Sequence, residues 1–424
     1  MELKPGYKQT EVGFIPMTWR VSPISSLLEK GARITYGVVQ PGKDDPGGVL
    51  FIRGGDVFQG KISAANLRRI PNAVSRQYER TILRGGELVI SLVGFPGECA
   101  IVPMALAGAN IARQVALVRF ADDGEAHPAF VCHYLQSNPG RTLLLKEAFG
   151  SAQKVINLKD VNRLELPLPP LPDQHAIAEA LGDMDGLVDG LDRQVAKKRN
   201  LKQAAMQQLL TGQARLSGFT GEWEVKRLGE VAEIGSGGTP STTDSRFWNG
   251  DILWCTPTDI TALAGRKYLW STARTITSAG LAASAAEIVP PRSVVMTSRA
   301  TIGECAINAV PLSTNQGFKN FVPFAGTDVE FFYYLLSTQK QGFIRLCGGS
   351  TFLEIGKTQL TAYEVRLPAS KEEQSAIAAV LSDMDAELTV LEVRRDKTRD
   401  LKQAMMQGLL TGRTRLVESE AAHA

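Results

Sequence analysis

The two double-proline stretches "LPPL" (168–171) and "VPPR" (289–292) are where this sequence comes nearest to a catalytic motif. An adenine N6-methyltransferase needs an Asp/Asn-Pro-Pro-aromatic loop, and both stretches lack the polar residue and the ring. In "GSGGTP" (235–240), Pro240 stands where a dinucleotide-binding GxGxxG needs its last glycine. In "IGKT" (355–358), the first glycine of a phosphate loop would fall on Thr351. A nuclease would need clustered carboxylates and a lysine, and Pro172-Asp173 has no Glu-x-Lys near it. Cys99 and Cys305 sit at the ends of two predicted strands with no histidine beside them, and read as small buried residues rather than nucleophiles. The five cysteines form no CxxC and the four histidines (His127, His133, His175, His423) show no ligand spacing. No catalytic residue and no metal ligand is expected.

The elements point elsewhere. Gln174–Leu216 aligns without a gap onto Gln374–Leu416, an offset of 200 residues in a chain of 424. "DMD", "LKQA" and "LLTG" recur in both copies. Apolar residues at Ile177, Leu181, Met184, Val188, Leu191 and Val195, and at Ile377, Leu381, Met384, Leu388 and Leu391, follow the alternating four–three spacing of a coiled-coil seam. Two helices of about 38 residues are expected, each about 57 Å long and ended by Thr-Gly. The economical arrangement pairs them with each other. Polar identity between the copies suggests a shared partner surface, and the row Gly182, Gly186, Gly190 suggests close approach of another helix.

Between the helices lie two regions of mixed strand and helix signal, which align loosely. "GGELVISLVGFPGECAIV" (85–102) resembles "PRSVVMTSRATIGECAIN" (291–308), each a period-2 apolar run followed by Gly-Glu-Cys-Ala-Ile. "FIRGGDV" (51–57) faces "WCTPTDI" (254–260), "ARQVALVRF" (112–120) faces "TNQGFKNFV" (314–322), and 150–171 faces 349–370. The skeleton repeats while the polar loop residues differ. "GFIPMTWRV" (13–21) matches "GFTGEWEV" (218–225), so closing the chain into a circle would bring the final "LLTG" to the N-terminal segment as "LLTG" meets the central one. The expected fold is two mixed α/β recognition domains joined by two long helices in an antiparallel coiled coil, with a pseudo-twofold internal repeat. The divisions are 1–170, 171–212, 213–370 and 371–416, with 417–424 a disordered tail.

This order resembles the specificity subunit of type I restriction–modification systems. The resemblance is carried by "EVGFIPMTW", "PLPPLPDQHAIAEAL", "LKQAAMQQLLTG" and their second copies, and covers residues 7 to 416. It implies that each variable domain reads one half of a bipartite site on double-stranded DNA. It implies further that the helices space the domains and dock two methyltransferase subunits, and that restriction subunits complete the nuclease. The chain itself would be non-catalytic and carry no cofactor, with S-adenosylmethionine, ATP and magnesium on partner subunits. A methyltransferase or nuclease fusion enzyme is the first alternative and lacks its motifs. A structural coiled-coil adaptor is the second and leaves the variable domains unexplained.

Base edges are read by Arg or Lys at guanine and Asn or Gln at adenine, and phosphates by Lys, Arg, Ser and Thr. The candidates are Arg53, Arg113, Gln114, Ser151, Gln153 and Lys154 in the first domain. In the second they are Thr256, Thr258, Ser298, Arg299, Asn315, Gln316, Lys319, Ser350 and Thr351. Arg53 and Arg299 lead, each read as a lone cation at a strand end. On the helices, Ile177, Leu181, Met184, Leu191 and Leu201, with Ile377, Leu381, Met384, Leu391 and Leu401, are the candidate partner-binding residues. Residues 20–165 hold 18 basic against 13 acidic side chains, and residues 222–370 hold 13 of each, so weak binding of DNA by the isolated chain is expected. There is no signal-peptide pattern and no apolar run near the ~18 residues of a membrane span, and a reducing cytoplasm suits the cysteines.

Overall fold

The computed structural model describes residues 6–122, 124–146, 155–347 and 354–416. The chain divides into two compact units, residues 1–192 with 393–424 and residues 193–392. These bounds cut each long helix in the middle, whereas the repeat in the sequence predicts whole helices outside the domains. The reason lies in the helix ends, which are apolar and complete a domain core. In the first unit Ile177, Ala178, Leu181, Leu409 and Leu410 join one cluster with Leu88, Ile90 and Phe130. In the second, Leu209, Leu210, Ile377, Ala378 and Leu381 join Val294, Met296 and Phe332. The tail 417–424 lies outside the described residues.

In the first unit a four-stranded sheet runs in the order Cys99–Ile101, Leu88–Ser91, Val115–Val118, Thr35–Tyr36, all antiparallel. Its central strand has the period-2 pattern, but neither face meets solvent. Leu88 and Ile90 belong to one core and Val89 to another, so the alternation separates two apolar layers. The second unit repeats this with Val294 and Met296 on one side and Val295 on the other. Its sheet runs Ala232–Ser236, Phe318–Pro323, Val294–Thr297, Cys305–Asn308, Tyr268–Leu269, the last pair parallel.

The helices span Leu171–Leu210 and Lys371–Leu409. Within the first unit Asp185 pairs with Lys402 at 2.5 Å and Asp192 with Arg399 at 2.8 Å, so numbers fall on one helix as they rise on the other. Within the second unit Lys202 pairs with Asp385 and Arg199 with Glu392 in the same sense. The helical segments of each unit are therefore antiparallel. Both helices stop at a glycine in the left-handed region, Gly212 at φ +73° and Gly412 at φ +67°.

Candidate nucleic-acid interface

Arg53 follows the strand Val49–Ile52 and opens the turn Gly54–Asp56. The Asp56 carboxylate accepts from the Arg53 backbone N–H at 2.7 Å, from Nε at 3.0 Å and from Nη2 at 2.9 Å. Arg53 is thus not a lone cation, because the turn brings an acid three residues on back to it. The pairing raises the guanidinium pKa further and fixes its direction. Gly54 has no room for a side chain: a Cβ there would lie 2.1 Å from the Val93 carbonyl oxygen. The absence of a side chain lets this turn rest on the loop after Leu88–Ser91. Leu92 N–H donates to Gln114 O at 2.8 Å, Ala112 N–H to Ile52 O at 2.9 Å, and Arg113 N–H to Val38 O at 3.0 Å. The loops around Val38, Arg53, Leu92 and Arg113 therefore gather at one end of the sheet, with Arg53 and Arg113 exposed and Gln114 half-buried. Ser151, Gln153 and Lys154 lie outside the described residues. The chain resumes beside the same loops, where Ile156 N–H donates to Leu92 O at 3.1 Å.

The second unit builds the same end with other side chains. Asp259 accepts from Thr256 N–H at 2.7 Å, as Asp56 does from Arg53. Asn315 N–H donates to Cys255 O at 3.0 Å, Ser298 N–H to Gly317 O at 2.7 Å, and Ile355 N–H to Ser298 O at 3.1 Å. These bonds match Ala112, Arg113 and Gln114 with Asn315, Gln316 and Gly317, one residue later than the sequence alignment had it. Thr258 and Gln316 are exposed, and Gln316 accepts from the Thr239 hydroxyl. The Thr256 hydroxyl is spent on Asp259 at 2.7 Å, and the Asn315 side chain accepts from Gly317 N–H at 2.9 Å. Ser350 and Thr351 lie outside the described residues.

Three expectations need correction here. Arg299 is paired with Glu354, Nε to Oε2 at 3.0 Å, so it too is not alone. Ser298 is fully buried, its hydroxyl without a partner among the described residues. Lys319 is a strand residue and not a loop residue: it lies in Phe318–Pro323, 6% exposed, and its counterpart in the first unit is the core residue Ala116. Burial lowers the Lys319 pKa, Glu354 opposes that and Arg299 reinforces it.

Sequence reasoning missed the rings of Phe58 and Phe95, both nearly half exposed at the first end, and the loop Thr239–Arg246 at the second. The signal was present in "GFPG", since a phenylalanine between two glycines and a proline belongs to a turn and not to a core strand.

The repeated polar residues of the helices have uses inside each unit. The second Asp of "DMD" pairs with the Lys of "LKQA" from the other helix, as Asp185–Lys402 and Asp385–Lys202. Gln174 accepts from His127 N–H at 2.8 Å and Gln374 from Asp328 N–H at 2.9 Å. "LLTG" docks on a domain: Tyr7 Oη donates to Gly412 O at 2.9 Å, and Gly212 lies against the Trp223 ring. The circular relation of the two halves thus exists in space. Of the candidate partner residues, Ile177, Leu181, Ile377 and Leu381 are core and cannot meet another protein. Leu191 is buried, and Met184, Met384 and Leu391 are half-buried. Leu201 and Leu401 are 47% and 55% exposed. Among the described residues nothing lies within 4 Å of where a Cβ would stand on Gly182, Gly186 or Gly190, so within this chain that row is left open.

No group of three His, Cys, Asp or Glu able to hold a metal occurs among the described residues, and no helix among them is long and apolar enough to cross a membrane. The Cys99, Cys255 and Cys305 thiols are pushed up in pKa, by burial and, at Cys99, first by the Cys132 thiol beside it. That is the opposite of nucleophile activation.

The family model described as the type I restriction modification DNA specificity domain matches residues 17–197 and again 220–397. The chain belongs to this family. The MjaIX specificity subunit of a type I restriction enzyme from Methanocaldococcus jannaschii is 40% identical over 168 residues, which are 39% of this chain and 38% of that protein. The EcoBI specificity subunit from Escherichia coli is 29% identical over 216 residues, 50% of this chain and 44% of that one. Those two matches span less than half of each relative. The putative MjaX specificity subunit is 23% identical and is covered to 97%, as is this chain. Among solved structures, the S subunit of a type I restriction–modification system from M. genitalium superposes with a TM-score of 0.61 at 16% identity, over 96% of this chain and 98% of that one. A chain from a type I system described for complex assembly and conformational transition gives 0.57 at 19% identity, over 94% and 99%. The two specificity domains and their helices thus share the fold of those chains.

Proposed function

We propose that this chain is the DNA-recognition subunit of a type I restriction–modification complex, each unit reading one half of a bipartite double-stranded site. The observation that carries this is the pair of loop clusters. One backbone skeleton, fixed by matching hydrogen bonds, presents Arg53, Arg113 and Gln114 in one unit and Thr258, Arg299 and Gln316 in the other. A constant frame with variable polar tips suits two different half-sites. The helices set the gap between them. They also carry an exposed stripe found in both copies, Leu201, Ala204 and Gln207 against Leu401, Ala404 and Gln407, which has the same sequence twice and would bind two copies of one methyltransferase subunit. Chemistry, with S-adenosylmethionine, ATP and magnesium, resides on the methyltransferase and restriction subunits. The test is methylation-sensitive sequencing of a strain carrying this chain with its methyltransferase. A two-part motif with a fixed gap supports the reading, and methylation without sequence preference defeats it.

A further inference from the structure

Phe58 and Phe95 are 46% and 48% exposed, with ring centroids 5.1 Å apart and planes at 48°. Both are held in place by their backbones. Phe58 ends the strand Val57–Phe58, which turns through Gln59 and Gly60, at φ 49° and 81°, into Lys61–Ile62. Gln59 N–H donates to the buried Glu98 carboxylate at 2.7 Å, whose other oxygen takes Arg141 at 2.6 Å. Phe95 follows Gly94 at φ 98°, and a Cβ on Gly94 would lie 3.7 Å from Gly55 N. The rings therefore sit beside the turn that carries Arg53.

The two rings adjoin one another and the Arg53 turn, which makes a small apolar patch beside a cation rather than one scattered side chain. Aligning the units through Asp56 with Asp259 and Glu98 with Glu304 puts Thr261 and Thr301 at the matching positions. A surface that docks the same protein on both units would recur in both. A surface that reads sequence would differ, as this one does. A phenyl ring offers no hydrogen bond to a base edge, and the apolar feature of the major groove is the thymine C5 methyl.

We propose that Phe58 and Phe95 form an apolar reader for a thymine methyl in the half-site taken by the first unit. This rests on the DNA-recognition reading above. The test uses the full complex with its methyltransferase subunits, and duplexes in which each thymine of the site is replaced in turn by deoxyuridine. One replacement in the first unit's half-site should weaken wild-type binding about fourfold, the value of burying one methyl-sized group. The same replacement should leave the Phe58→Ala/Phe95→Ala variant unaffected, and Phe58→Leu/Phe95→Leu in between. The deoxyuridine series on the wild-type chain needs no variant, so a folding defect does not obscure it. Indifference to deoxyuridine throughout, or a half-site without thymine, overturns the methyl reader. So does a variant that fails to bind methyltransferase subunits while keeping its thymine preference, which would make the rings a protein contact. A wild-type complex with no sequence preference at all defeats the recognition reading itself, a result distinct from the others.

Discussion

Asp56 takes one edge of the Arg53 guanidinium, through Nε and Nη2, and leaves Nη1 for another acceptor. A cation held this way is aimed before DNA arrives, which lowers the ordering cost of a base contact. Arg53→Ala should cost about 1–3 kcal/mol at one base position. Asp56→Asn should keep the Arg53 cation, release it from its ion pair, and lose part of the preference at that same base. Selection from randomised sites checks both, and an equal loss on all sequences would make Arg53 a phosphate contact. His133 gives a second prediction. Burial lowers its pKa to about 4, Lys402 and His127 push the same way, and Asp185 at 4.0 Å opposes them. The unfolded chain binds this proton below the ordinary value of 6.5 and the folded chain does not until about 4. Stability is therefore full above that ordinary value and is lost as pH falls toward 4, by about 3 kcal/mol from this group. Denaturation midpoints at pH 7 and pH 4.5 should differ less for His133→Gln than for the wild type. Which residues were polar tips was only half legible. Arg53, Arg113 and Gln316 reach the surface as expected, whereas Lys319 and Ser298 look the same in the sequence and are buried, because Lys319 lies in a strand covered on both faces and Ser298 directly follows another.

At the scale of elements, each long helix is bound at its start to one domain and at its end to the other, and glycine makes the end possible. Gly412 has φ +67°, and a Cβ there would lie 2.3 Å from Pro16 and 3.1 Å from Trp19. Gly212 has φ +73°, and a Cβ there would lie 3.1 Å from the Trp223 ring. Gly412→Ala should destabilise the first unit by about 1–3 kcal/mol, and Gly212→Ala should cost less because only the backbone strain is large. Thermal unfolding of the two variants compares them, and equal costs would contradict the difference in packing. The helices were the most legible elements: a long apolar period and a repeated stop signal predict helical regions over 171–212 and 371–416, and the helices span 171–210 and 371–409. The apolar residues of their first turns read as partner surface in the sequence. An apolar seam cannot say whether a domain or another helix covers it, and here Ile177 and Leu181 go to a domain.

At the scale of the molecule, each variable region enters and leaves its unit through one antiparallel strand pair. Arg20–Pro23 lies against Glu165–Leu168 in the first unit, and Trp223–Arg227 against Glu364–Pro368 in the second. Arg227 and Glu364 face each other in register, so residues 228–363 begin and end at one place. That geometry lets a whole reading domain be exchanged with the chain path into the helices kept, provided the replacement covers Ile377 and Leu381 as this one does, and it makes the central claim testable. The measurement is the methylation motif of a strain in which residues 228–363 are replaced by the matching region of another family member. The account predicts that one half of the motif changes, while the other half and the gap stay as they were. A motif that changes in both halves, or in neither while methylation continues, would contradict it.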